Sequence, residues 1–168
     1  MAASAAMELV SGTYALIFDL RLNGGGSPHG VAFWCSYLLP EEPIRLNTDR
    51  PVYVLTSSHT FSGGEDLCYT LQALGRAEVI GETTGGGAHP TRPFPISPGM
   101  RIGMAFARSV NPITGTNWQG TGVISDTPAP ADEAYQVAYA KALRHVAVLG
   151  DVPLPIADEA RAALATLV

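Results

Sequence analysis

The side chains best suited to chemistry crowd into one stretch, "VLTSSHTFSGGEDL", Val54–Leu67. An apolar run ends in Thr56, Ser57 and Ser58; His59, Thr60 and Ser62 follow, and Gly63-Gly64 opens what reads as a helix. A hydroxyl at a strand-to-helix turn can face a substrate while the next backbone N–H, that of Gly63, points into the same space. A second N–H from the Gly24, Gly25, Gly26 run would complete a donor pair for a developing oxyanion, the chemistry of acyl transfer. The plainer role for Ser62 is a helix N-cap, with Glu65 three residues on closing a capping box. The two roles are compatible, because a capped N-terminus also favours negative charge.

Glycine-rich stretches follow three apolar runs, at Asn23–Gly26, Ser62–Gly64 and Thr83–His89. In an open α/β sheet, loops at the carboxyl ends of strands converge on one crevice, and glycine lets the backbone approach a ligand closely. None of these stretches carries the Gly-Lys-Ser/Thr of a phosphate loop or the spacing G-x-G-x-x-G. His59 and His89 stand beside the glycine loops as candidate bases, each equally readable as a loop histidine bonded to backbone. His29 reads as a turn residue and His145 as part of an amphipathic helix. The histidines and acids lack metal-ligand spacing, so neither a metal nor a cofactor is expected. Asp19 and Arg21 suit a strand-end ion pair, and Phe33 and Trp118 suit either the core or an apolar pocket. Cys35 and Cys68 read as buried free thiols.

The elements that must position these residues follow from periodicity. "YALIFDL" (14–20), "VYVLTS" (52–57) and "AEVIGE" (77–82) are short apolar runs, as expected for strands buried on both faces. "VAFWCSYLL" (31–39) suits a helix stopped by Pro40, and "EEPIRLNTDRP" (41–51) a loop or edge element. "SGGEDLCYTLQALG" (62–75) puts Leu67, Leu71 and Leu74 on one helical face and ends at Gly75, a natural C-cap. Strand and helix alternate with short connections, which implies parallel crossovers in a layered α/β core. Residues 94–110 and 111–123 read as extended segments joined by Pro/Gly turns, and two helices follow over 132–150 and 155–168.

Composition narrows the classes. Of 168 residues, 46% are hydrophobic and 15% charged, which describes one apolar-rich globular domain and excludes disorder. A net charge of −5 with no basic run leaves no electrostatic case for nucleic acid. The apolar runs fall short of a membrane span, and the first twenty residues lack the basic and apolar regions of a signal peptide.

Four blocks taken together resemble a known family. "ALIFDLRLNGGG" resembles the D-L-R-x-N-G-G-G signature of the tail-specific (C-terminal-processing) and tricorn core serine proteases. "TSSHTFSGGE", "EVIGETTGGGAHP" and "NWQGTGVISD" with "DEAYQVAYAKAL" follow in that family's order. They look most like the branch related to the interphotoreceptor retinoid-binding protein modules. The resemblance implies a crotonase-like layered α/β core with a mostly parallel sheet, extra extended segments and C-terminal helices. It implies one protease core domain over 1–168, preceded in the family by a segment that this sequence lacks. Ser62 falls on the family's nucleophile, with Thr60 in place of an earlier serine. Gly63 and a glycine of the first block, Gly24, Gly25 or Gly26, fall on its oxyanion donors.

The departures concern the base. Where dyad members of the family carry lysine, this sequence has Gly87, and its single lysine is Lys141. The tricorn-like members take a histidine from upstream and a glutamate at the position of Gln119, which cannot supply negative charge. His89 is then the local substitute to test. The function implied is a serine-type peptidase acting on an extended peptide or protein substrate, with low activity expected from this chain alone. The alternative is a non-catalytic module binding a hydrophobic ligand or peptide on the same scaffold. A homo-oligomer is compatible with either, and the compartment is open, with secretion or a periplasmic location suggested only by the family.

Overall fold

The computed structural model describes residues 2–39, 50–150 and 152–167. Pro40 and most of the loop expected over 41–51 lie outside them. The chain forms α1 (Ala2–Val10), β1 (Leu16–Asp19), α2 (Pro28–Leu38), β2 (Val52–Thr56), α3 (Gly63–Ala73) and β3 (Glu78–Gly81). It continues through β4 (Thr91–Ser97), β5 (Met100–Ala105), β6 (Thr127–Pro128), α4 (Ala134–Val148) and α5 (Leu154–Ala165). The order β1-β2-β3-β6 makes a four-stranded sheet whose pairings are all parallel. This is the mixed α/β architecture, mostly parallel, that the alternation of runs implies.

Strand alternation decides which side chain meets which layer. Val52 and Val54 of β2 and Val79 of β3 face the cluster built on α1, α2 and α3, with Met7, Leu67 and Leu71. Tyr53, Leu55 and Ile80 face the opposite layer, where Ala134, Ala138 and Ala142 of α4 lie one turn apart on a single helical face. Those alanines let the helix axis approach the sheet closely. Helices therefore cover both faces, which is why β2 reads as an unbroken apolar run and is buried throughout.

β1 departs from the expectation of full burial. It is an edge strand, half-buried along most of its length. α1 was not expected at all, yet its Met7 enters the core. α2 begins earlier than the apolar run suggests, with Ser27 as N-cap accepting from the Gly30 N–H at 3.1 Å and Pro28 in the first turn. His29 therefore stands in a helix rather than a turn. Residues 94–110 do extend, as the separate antiparallel hairpin β4–β5. Residues 111–123 form turns without a strand, held by Asn111, whose side chain accepts from the Ile113 and Thr114 N–H groups. Cys35 and Cys68 are buried free thiols. No described helix is long and apolar enough to cross a membrane.

The single lysine is fixed far from the glycine loops. Lys141 Nζ donates to Glu78 Oε1 at 2.6 Å, at the first residue of β3, whereas the glycine loop leaves the strand's other end. Thr127 also donates to that oxygen. Burial pushes the Glu78 carboxyl up, but the Lys141 and Thr127 hydrogen bonds outweigh it and hold the group below its ordinary 4.5. A carboxyl lowered in the folded state stabilises above its unfolded pKa and loses that contribution as pH falls through the folded one. Lys141→Met is expected to lower stability by up to about 1 kcal/mol at neutral pH. That difference should shrink as the pH drops below 4.5, as urea unfolding across pH would show.

Candidate active site

Between β2 and α3, most hydroxyls of the crowded stretch are scaffolding. Thr56 Oγ1 donates to Glu82 O at 2.8 Å, and Ser57 Oγ donates to Arg21 O while accepting the His59 N–H. Thr60 Oγ1 donates to Leu20 O at 2.8 Å and accepts the Ser57 N–H. These bonds lash the loop to the end of β1 and to the segment after β3. Ser62 is different. It stands at the N-cap position in the expected capping box with Glu65, its hydroxyl turned toward the Glu65 N–H without a full hydrogen bond.

The backbone of Ser62 is the only non-glycine with positive φ among the described residues, at φ 51° and ψ −116°. Such a conformation costs on the order of 1–3 kcal/mol and persists only where its surroundings enforce it. Here they do. The Ser62 N–H donates to Glu65 Oε2 at 2.7 Å, and the Phe61 N–H to Asn23 O at 3.0 Å. Asn23 Oδ1 accepts the Gly25 N–H at 2.9 Å, fixing the first glycine loop against the serine.

Glu65 is fully buried and pairs with no cation among the described residues. Its Oε1 accepts from Thr84 Oγ1 and the Gly86 N–H, both at 2.6 Å, and its Oε2 accepts from the Gly87 N–H at 2.9 Å besides Ser62. It sits in the first turn of α3, where the helix dipole adds favourable potential. One carboxylate thus ties the serine turn to the third glycine loop.

The two glycine turns that carry the expected oxyanion donors meet. A Cβ on Gly63 would lie 2.7 Å from both Gly26 N and Gly26 O, and one on Gly25 would lie 2.8 Å from Ser62 Cβ. Neither Gly63 N–H nor Gly26 N–H has an acceptor among the described residues. Gly25 is as close as expected, but its N–H is engaged by Asn23, so it is not a free donor. Gly24 has nothing within 4 Å of where a Cβ would stand. Gly26 is the member of the run whose amide is both adjacent and free.

A cavity of about 60 Å³ opens beside Ser62, walled by Gly26, Gly63, Asp66, Gly87, Ala88 and Trp118 among others. Gly87 is on this wall, and the ring of Phe61 covers it: a Cβ there would lie 2.1 Å from Phe61 Cζ. Ala88 and Pro90 also line the cavity, while His89 between them does not. Gln119 is likewise occupied elsewhere, its Oε1 accepting the Ala88 and His89 N–H groups at 2.9 and 3.1 Å. It pins the third glycine loop. Trp118 is a core residue, whereas Phe33 is partly exposed.

A separate, larger cleft of about 790 Å³ is lined by His59 together with Asp19, Arg21, Glu82 and Asp132. Asp19 and Arg21 form the expected ion pair at 2.6 Å, and Arg21 also donates to Ala131 O. The Arg21 hydrogen bond outweighs desolvation and holds the Asp19 carboxyl below the usual range. Asp66 was not singled out from the sequence, because within a helix its spacing looks like any solvated acid.

These residues place a strained serine at a loop-to-helix turn, with two unengaged amides beside it, at the end of a parallel sheet. Residues 2–129 match the model of peptidase family S41, and the chain belongs to that family. Its fold is similar to that of a photosystem II D1 C-terminal processing protease, with 23% identity and a TM-score of 0.66 over 78% of this chain. It is also similar to a lipoprotein from Streptococcus agalactiae (18%, 0.60, over 82%) and to the tricorn protease (20%, 0.60, over 95%). The chain spans only 39%, 60% and 16% of those three structures' lengths.

Glu65→Ala would strand three backbone donors and a hydroxyl, each worth about 1–3 kcal/mol when buried unpaired. The expected result is a loss of at least about 3 kcal/mol in urea unfolding, or no folded protein. Glu65→Gln, which keeps one acceptor oxygen, should lose less.

Proposed function

We propose that this chain is the catalytic core of a serine-type peptidase cleaving extended peptide or protein substrates, with Ser62 as nucleophile. The single observation that carries the reading is the positive-φ backbone of Ser62, which its neighbours enforce. Structural N-caps have no need of such a conformation; a serine that must lift its oxygen clear of a turn does. Family membership supports the same chemistry.

In this reading Ser62 Oγ attacks the scissile carbonyl, and the Gly63 and Gly26 N–H groups receive the developing oxyanion. Two backbone donors in a partly closed site act without reorganising, and loss of one such donor typically costs roughly 3 kcal/mol of transition-state stabilisation. Gln119 and Glu65 act at one remove, by holding the third glycine loop that closes the cavity. Placement in the retinoid-binding-protein-like branch rests on the sequence blocks and belongs to this proposal.

A fluorophosphonate probe is expected to add mass to the tryptic peptide containing Ser62, and Ser62→Ala to abolish both that label and any peptide cleavage. Label persisting in Ser62→Ala would assign the nucleophile elsewhere. Gly25→Ala places a methyl against Ser62 Cβ at a φ of 118°, so labelling should slow at least about ten-fold, the size of a modest displacement from attack geometry.

A further inference from the structure

A serine hydroxyl is a weak nucleophile without a base, and neither histidine proposed from sequence lines the cavity at Ser62. His59 lines the larger cleft instead, and the single lysine, Lys141, is bound to Glu78 at the far end of β3. Among the residues that wall that cavity, Asp66 alone has a titratable side chain.

Asp66 stands one helical turn beyond Ser62, and its own N–H donates to Ser62 O at 2.9 Å, so the two side chains share a flank of the helix end. A water occupies roughly 10–15 Å³ on the measure that gives this cavity about 60 Å³, so one fits in the space that Ser62 and Asp66 both line. Trp118 lines the same cavity and is 2% exposed, so its ring closes one side of the space against bulk solvent.

We propose that Asp66 is the general base for Ser62, accepting the hydroxyl proton through one water held in this cavity. The inference rests on the reading of Ser62 as nucleophile. The Ser62 Oγ–carbon bond forms as the hydroxyl proton passes by way of the water to Asp66, and the carbonyl electron pair moves to the oxygen facing Gly63 and Gly26. On collapse the C–N bond breaks and the departing amine takes the proton from Asp66. A second water then splits the acyl-enzyme by the same route, returning the proton to Ser62.

The surroundings suit that task. Burial holds the Asp66 carboxyl above its usual range, against the opposing hydrogen bond from Thr70, and a base works best when its pKa approaches the working pH. From α2 the group facing it is the Cys35 thiol, pushed up to about 11 by burial and by the Asp66 charge, hence neutral. From its own helix, Glu65 is turned to the Gly86 and Gly87 amides. The third glycine loop and the 109–118 segment bring Gly87, Ala88, Pro90, Ser109 and Trp118 to the cavity, none of them titratable.

The test is the rate of fluorophosphonate labelling at Ser62 from about pH 4 to about pH 9, in which Oγ–P forms, P–F breaks and the proton goes to the base. The wild-type rate should climb as a carboxyl with a raised pKa ionises, then level off. Asp66→Asn should label the same serine at least about ten-fold more slowly at neutral pH, with the slope gone. Asp66→Glu should recover part of both. Asp66→Asn with the wild-type rate and slope would overturn the proposal while leaving Ser62 as nucleophile. So would Asp66→Glu as slow as Asp66→Asn, or a slope near the histidine value of about 6.5 in both proteins. A wild-type protein unlabelled at Ser62 at every pH would remove the nucleophile reading and this one with it.

Discussion

The site depends on a buried carboxylate, Glu65, that has no counter-ion among the described residues. Removing a charged group from water costs several kcal/mol unless its lone pairs are fully engaged. Glu65 meets that condition with three backbone amides and one hydroxyl, all within 2.9 Å, drawn from two separate loops. Because the charge is expensive to bury with any donor missing, both loops are held in one arrangement together. The left-handed backbone of Ser62 is one product of that arrangement, and the closed wall formed by Gly86 to Ala88 is another.

Around this hub the chain separates two kinds of surface. The small cavity at Ser62 is lined mostly by glycine, alanine, proline and tryptophan, with one acid. The larger cleft gathers Asp19, Arg21, His59, Glu82 and Asp132. Asn23 lines that cleft, its carbonyl bonded to the serine turn and its side chain to Gly25. The strand ends deliver both surfaces to the same edge of the sheet, but the titratable residues fall almost entirely on the larger one.

The parts of this arrangement that could be read in the sequence are those governed by local period and burial. β2 is legible because helices cover both of its faces, and α3 because Leu67 and Leu71 recur on its inner face and Gly75 adopts φ 62° just beyond it. β1 misled, since an edge strand uses the same residue types with less burial. α1 has alanine where a packing stripe would announce itself, leaving Met7 as a weak clue. Turns over 111–123 are fixed by Asn111 side-chain bonds that no periodicity encodes. The hydroxyl cluster is visible in the sequence, but only the hydrogen bonds separate Ser62 from Thr56, Ser57 and Thr60. That the Gly25 N–H is engaged by Asn23, and Gln119 Oε1 by the Ala88 and His89 amides, is fixed by folded contacts that spacing does not encode.

The ring of Phe61 lies across Gly85 and Gly87 and is 44% exposed. A side chain introduced at 87 would meet aromatic carbon before it had extended by a single bond. The atoms it would meet are the far end of a ring that is nearly half exposed rather than fixed backbone. Room at 87 therefore depends on whether that ring swings outward, and the tightness of this wall is set by one rotatable side chain.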